Sequence, residues 1–117
     1  MKANILGVGY YLPEKILTNK DLEQIVDTND AWIVERSGIR ERHILAPDEP
    51  CSLMAVEAAR RALQDANLDA ADLDLIIVGT VTGDMVFPAT ACLVQAELGA
   101  VKAAAFDLAA GCTGFIY

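Results

Sequence analysis

Near the end of this 117-residue chain, one cysteine sits where a nucleophile could be made, in Ala109-Ala110-Gly111-Cys112-Thr113-Gly114. An apolar run from Val101 to Leu108 precedes it and reads as a buried strand, and the residues after it read as the start of a helix. Ala110 and Gly114 lie two positions away on either side, and Gly111 directly precedes the cysteine. Small residues there let a strand reverse sharply into a helix and lift the side chain between them to the tip of the turn. The serine nucleophile elbow uses the same device. A thiol at a helix N-terminus also lies near unpaired backbone N–H groups and the positive end of the helix dipole, which lower its pKa and favour thiolate. The competing reading is a buried structural thiol at a tight turn.

A second group is basic. Arg36, Arg40 and Arg42 crowd one short segment close to Trp32, the only tryptophan. The whole chain carries 17 acidic against nine basic residues, a net charge of −8, and offers no basic stripe to neutralise nucleic-acid phosphates. Any anion-binding role therefore rests on that local cluster. A planar, multi-donor guanidinium such as Arg36 suits phosphate, although a surface ion pair with Glu35 or Asp30 is equally ordinary chemistry. From its residue type alone, Trp32 reads as a core anchor and Phe87 as a residue of its own core. His43 reads as a structural or surface histidine, because a catalytic base must reach the thiol.

Cys51 precedes a helix and Cys92 falls within one. With Cys112 they form neither a disulfide framework nor a metal motif, and both read as small buried hydrophobes. Gly7-Val8-Gly9 hints at a dinucleotide fingerprint, but Leu12 takes the third glycine position and no helix comes at once after it.

The elements that must position these groups can be read from local signals. Asn4 to Leu12 reads as a first strand ending at Pro13. Thr18 with Asp21 resembles a capping box for a short helix through Val26. Asn29 caps a second helix, Asp30 to Ser37, closed by Gly38. Ile39 to Ile44 reads as a strand, and Pro47-Asp48-Glu49-Pro50 as a loop. Ser52 caps the longest helix, Leu53 to Asn67, whose buried stripe is Leu53, Val56, Ala59, Leu63 and Ala66. Its many alanines suggest close packing against another element.

Asp69 to Asp74 is a polar turn, and Leu75 to Thr80 a strand without polar alternation, as expected of a sheet covered on both faces. Pro88 suits the first turn of another helix, stopped by Gly99. The helix–strand alternation after residue 50 gives an α/β layered fold with parallel strands.

Length and a composition of 54% hydrophobic and 22% charged residues fit one well-buried domain spanning 1–117. The apolar runs are too short to span a bilayer. The start, Met1 to Leu6, faintly resembles a signal peptide, but Gly7, Gly9 and Pro13 break it and it leads to no cleavage site. A soluble, cytoplasmic protein is the expectation.

The set Gly7-Val8-Gly9-Tyr10-Tyr11-Leu12-Pro13, Trp32-Ile33 with Arg36 to Arg42, Phe87-Pro88-Ala89, and Asp107 to Phe115 closely resembles β-ketoacyl-acyl carrier protein synthase III, a family of the thiolase superfamily. The resemblance covers the whole chain and implies most of the N-terminal half of a duplicated αβαβα fold, cut just after the nucleophile. It implies that Cys112 takes an acyl group, usually acetyl, from acetyl-CoA. Malonyl-acyl carrier protein then condenses with that group by decarboxylation. Trp32 would stack on the CoA adenine, Thr28 would hydrogen-bond nearby, and Arg36 would meet the CoA phosphates.

Phe87 would reach across a homodimer interface to line the partner's acyl pocket. No cofactor is implied beyond acetyl-CoA as substrate, and no nucleic acid, membrane or metal. The family's catalytic histidine and asparagine lie in the second half and have no counterpart here, so the chain alone is expected to lack condensing activity. Gly111-Cys112-Thr113 departs from the alanine-flanked cysteine common in the family, with small replacements. Other readings are a thiolase-type enzyme using two CoA thioesters, and a non-catalytic α/β fragment.

Overall fold

The computed structural model describes residues 2–117. The chain forms two units, one of Leu12–Glu49 and one that joins the residues up to Tyr11 to Pro50–Tyr117.

In the first unit, β1 (Lys15–Thr18) leads into α1 (Asn19–Leu22), with α2 (Asp30–Ser37) and β2 (Glu41–Ile44) after it. The two strands pair antiparallel, with Lys15 opposite Ile44 and Thr18 opposite Glu41. Thr18 and Asp21 form the expected capping box: the Thr18 hydroxyl accepts from the Asp21 N–H at 3.2 Å, and the Asp21 carboxylate accepts from the Thr18 N–H at 2.8 Å. The helix stops at Leu22 rather than Val26. Ile25 and Val26 are exposed, so further turns would bury nothing to offset their ordering.

Helix α2 has the expected bounds. The Asn29 side chain accepts from the Trp32 N–H at 2.9 Å, and Gly38, at φ +72°, closes the helix through its N–H to Val34. A polar knot centres on Asn19, which is fully buried. Its amide nitrogen donates to Asp30 at 2.7 Å and to the Ile39 carbonyl at 2.9 Å, while its oxygen accepts from Arg42 at 2.9 Å. Arg42 also donates to the Leu17 carbonyl. Arg42 is thus structural, and so is His43, whose Nδ1 donates to the Pro13 carbonyl.

The second unit contains α3 (Cys51–Ala66), β3 (Leu75–Val78), α4 (Thr90–Leu98) and β4 (Ala104–Asp107), with a 3-10 turn over Ala70–Asp72. Strands β3 and β4 are parallel and in register from Leu75 opposite Ala104 to Val78 opposite Asp107. Both fall inside the longer predicted runs, and their joining through α4 is the expected α/β rhythm. Val56, Ala91, Val94, Ala100 and Ala103 form the buried core. Val56 is the most deeply buried residue of the predicted α3 stripe, with Leu53, Ala59, Leu63 and Ala66 half-buried. The expectation of a sheet covered on both faces is not met among the described residues, since Leu75, Ile77 and Phe106 are each exposed to nearly half.

Two helix starts differ from expectation. Ser52 does not cap α3 with its hydroxyl. Pro50 holds the N-cap position without a side-chain bond, and the Ser52 N–H finds its acceptor in Asp84, 3.0 Å away. Helix α4 begins at Thr90, after Ala89 at the N-cap, so Pro88 precedes the helix rather than entering it.

The predicted strand from 4 to 12 forms no ladder among the described residues. Residues 7–10 instead lie along α3. The Val8 N–H donates to the Asp65 carboxylate at 2.9 Å, and Arg61 donates to the Tyr10 carbonyl at 2.9 Å. A Cβ on Gly7 would meet the Ala62 carbonyl oxygen at 2.5 Å, and one on Gly9 would collide with the Ala58 carbonyl oxygen. The Gly-x-Gly pair is therefore a packing device, and the alanines of α3 are its packing partners. No helix among the described residues is long and apolar enough to cross a membrane.

Candidate active site

The cysteine locus is built by the carboxyl ends of β3 and β4, the position where ligands of open α/β sheets are commonly bound. The ladder continues one residue past β4, with the Leu108 N–H donating to the Val78 carbonyl at 2.8 Å. The chain then breaks. Gly111 adopts φ +55°, and a 3-10 turn runs over Gly111–Gly114. Positive φ is the left-handed region that glycine enters freely and alanine enters at a cost of about 1–2 kcal/mol. Cys112 comes directly after it and is exposed. The expected reversal is present, and the thiol is not a buried structural one.

Gly114 is buried against Gly79 at the end of β3. A Cβ on Gly79 would stand 3.3 Å from the Gly114 carbonyl carbon, and one on Gly114 would stand 3.4 Å from the Leu108 carbonyl oxygen. The turn seats closely because neither position carries a side chain. Cys112 leads into one 3-10 turn rather than the expected α-helix, with a single α-type bond from the Tyr117 N–H to the Thr113 carbonyl at 3.1 Å. The Cys112 N–H lies in the first positions of that turn, where a donor has no acceptor within the turn.

Cys92 is half-buried inside α4, its thiol 3.8 Å from the Ala105 carbonyl oxygen. Cys51 is half-buried as the first residue of α3 rather than preceding it.

Beside the Cys112 turn, the loop from Gly79 to Ala89 and the end of β4 border an open cleft of about 330 Å³, lined in part by Thr80, Gly83, Met85, Val86 and Asp107. Met85, Val86 and Phe87 are exposed, Phe87 to 87%. Phe87 is therefore no part of its own unit's core, the alternative its residue type left open. Asp107 was not singled out from the sequence, yet its carboxylate accepts from the Thr90 N–H at 2.8 Å and the Ala91 N–H at 2.7 Å. The sequence holds no local signal for this cap, because the bonds join residues 17 and 16 positions apart.

The second locus lies in the unit Leu12–Glu49. Thr28, Asn29 and Trp32, with Asp27, line a shallow cavity of about 170 Å³ at the start of α2. Trp32 is 53% exposed, so it is not an anchor of this unit's own core. One helical turn on, the Arg36 guanidinium lies over the Trp32 ring, 5.5 Å from its centroid. Arg36 pairs with neither Glu35 nor Asp30; among the described residues the ion pair is Arg60–Glu57. A half-exposed indole beside a guanidinium that makes no ion pair among the described residues can hold a flat base and an attached phosphate. Thr28, Trp32 and Arg36 are thus brought together within this unit, while Cys112 and Phe87 belong to the other.

No protein-family model matches the chain. It is 64% identical over 115 residues to the β-ketoacyl-[acyl-carrier-protein] synthase III of Caldanaerobacter subterraneus subsp. tengcongensis, covering 98% of this chain and 35% of that protein. It is 62% identical over 117 residues to the synthase III of Desulfitobacterium hafniense, covering all of this chain and 35% of the relative. The chain belongs to the β-ketoacyl-acyl carrier protein synthase III family.

The crystal structure of the Aquifex aeolicus 3-oxoacyl-[acyl-carrier-protein] synthase III superposes with a TM-score of 0.88 at 56% identity. That match covers 97% of this chain and 36% of the other. The priming β-ketosynthase of the R1128 polyketide pathway gives the same TM-score at 43% identity, over 96% of this chain and 34% of its own. The fold is accordingly the N-terminal part of the thiolase-like α/β fold of the synthase III family. The chain spans about a third of the length of the curated relatives it matches.

Proposed function

We propose that this sequence is the nucleophile-bearing part of an initiating condensing enzyme of fatty acid synthesis, a soluble cytoplasmic homodimer when joined to the rest of its fold. Cys112 attacks the thioester carbonyl of acetyl-CoA, its sulfur bonds to the acyl carbon, and CoA leaves as the thiol. Malonyl-acyl carrier protein then loses carbon dioxide, and the resulting carbanion attacks the acyl-cysteine to give a β-ketoacyl thioester and free Cys112. Covalent capture splits one difficult transfer into two easier ones. The Cys112 N–H is the oxyanion donor for each tetrahedral intermediate. Trp32 stacks on the CoA adenine, with Thr28 hydrogen-bonding beside it and Arg36 holding the phosphates. Phe87 lines the acyl pocket of a second subunit.

The observation that carries this reading is the exposed cysteine on a glycine-made turn at the carboxyl end of β4. The exposed Trp32–Arg36 pair supports a nucleotide-bearing donor. These 117 residues by themselves have no condensing activity in this reading, because the histidine and asparagine that the family resemblance implies lie outside them.

The reading is tested by joining this segment to the remaining residues of the Caldanaerobacter relative. The chimera should release carbon dioxide from malonyl-acyl carrier protein and form β-ketoacyl product only when Cys112 is present. Product without malonyl-dependent carbon dioxide release would favour a thiolase-type reaction, and product from the 117 residues alone would overturn the claim of inactivity.

A further inference from the structure

The loop between β3 and α4 is held by two carboxylates, its own Asp84, which reaches the start of α3, and Asp107 of β4, which grips the start of α4. At one end, Asp84 accepts from the Ser52 N–H at the start of α3 (3.0 Å), while its own N–H donates to the Thr90 hydroxyl at 3.3 Å. At the other end, the Asp107 carboxylate takes the N–H groups of Thr90 and Ala91 at 2.8 and 2.7 Å. Thr90 is fully buried, and a Cβ on Gly83 would collide with its hydroxyl.

Between these clamps, Met85, Val86 and Phe87 project into solvent at the end of the sheet from which the Cys112 turn emerges. Asp107 lies five residues before Cys112, so one strand end carries both the nucleophile turn and the tether of the apolar loop.

We infer that Asp107 is a positioning residue: by tying the start of α4 to β4 it fixes where the adjoining Met85–Phe87 loop projects, and so sets which acyl chains are accepted by the pocket that Phe87 lines in the second subunit. The inference rests on the condensing reading of Cys112. A carboxylate that only stabilised α4 could be replaced by any cap on that helix. A tether to β4 could not be, because its function is the connection between two elements. The turn at Cys112 has its own supports, the Leu108–Val78 bond and the Gly79–Gly114 contact, so loss of Asp107 leaves the thiol presented.

The experiment uses the chimera with the Caldanaerobacter residues and two variants, Asp107→Asn and Asp107→Asn combined with Ala89→Asp. The second places a capping oxygen on α4 itself, at an N-cap that has none. Three properties are read: the melting temperature, the kcat/KM ratio for long against short acyl-CoA, and hydrogen exchange over residues 83–91. Asp107→Asn should lower the melting temperature, speed exchange over the loop about tenfold or more, and change the acyl-length ratio severalfold. Alkylation of Cys112 should stay within about twofold.

The double variant should regain the melting temperature yet keep the altered ratio and fast loop exchange. Recovery of all three by Ala89→Asp would overturn the inference, leaving Asp107 a simple helix cap. An unchanged ratio and unchanged exchange in Asp107→Asn would also overturn it. If the parent chimera transfers no acyl group, the condensing reading fails, and exchange over 83–91 in the two variants still decides whether Asp107 tethers the loop.

Discussion

Replacing Gly9 with alanine separates a packing role for the Gly7-Val8-Gly9 segment from a nucleotide-binding one. The added methyl would fall on the Ala58 carbonyl oxygen and the Ala62 nitrogen, both interior backbone of α3, where no flexible side chain can move aside. Residues 7–10 must therefore lift away, at about 1–3 kcal/mol for forced overpacking. The lift also strains two exposed hydrogen bonds, Val8 to Asp65 and Arg61 to Tyr10.

The assay is hydrogen exchange at the Val8 amide, whose acceptor is the Asp65 carboxylate. At about 1.4 kcal/mol per tenfold, exchange should accelerate on the order of ten- to a hundredfold. Gly38→Ala is the control. It imposes a left-handed alanine, with no atom within 4 Å of the new methyl, and should leave Val8 unchanged. Val8 exchange in Gly9→Ala within twofold of the parent would refute the packing argument.

The same geometry gives further expected outcomes. Trp32→Ala in the chimera should raise KM for acetyl-CoA about tenfold with kcat within twofold, as expected for a stacking contact made equally in ground and transition states; a fall in kcat alone would place Trp32 elsewhere in the reaction. Arg36→Ala should raise KM similarly and make it less sensitive to salt, checked by titrating ionic strength.

The Thr18 hydroxyl and N–H hold the Asp21 carboxyl below its ordinary value, so its contribution to stability is present above that value and fades as pH falls through the lowered one. The stability difference between the parent and Asp21→Asn should therefore be constant near neutrality and vanish in acid, as read by thermal melts across pH. Gly111→Ala should destabilise the Cys112 turn by about 1–2 kcal/mol through φ alone, since no atom lies within 4 Å of the new methyl.

Elements set by local chemistry were legible in the sequence. Asn29, Gly38 and Gly99 each act within a few residues, and α2 and the end of α4 fall where these residues put them. The Cys112 turn was legible for the same reason, because the glycines around the cysteine permit the positive φ and the close backbone approach that a sharp reversal needs. Devices that join distant residues were not. Ser52 carries a capping hydroxyl, but Asp84, 32 positions away, supplies the bond instead. Asp107 caps a helix 16 and 17 positions earlier.

The strand pattern over residues 4–12 is real as a pattern, but a strand needs a neighbouring edge, and here α3 is the neighbour. Trp32 and Phe87 were ambiguous from residue type because large aromatics are usually buried. Their exposure decided against the core, and the guanidinium over the indole could not be read from spacing alone.

The most direct measurement is the rate and pH dependence of iodoacetamide alkylation at each of the three cysteines in the chimera, with and without acetyl-CoA, located by peptide mapping. Cys112 should react at least about tenfold faster than Cys51 and Cys92, and acetyl-CoA should block it by leaving an acetyl group on that sulfur. Equal rates at the three positions, or a Cys112 that acetyl-CoA neither protects nor acetylates, would contradict the assignment of this residue as the nucleophile.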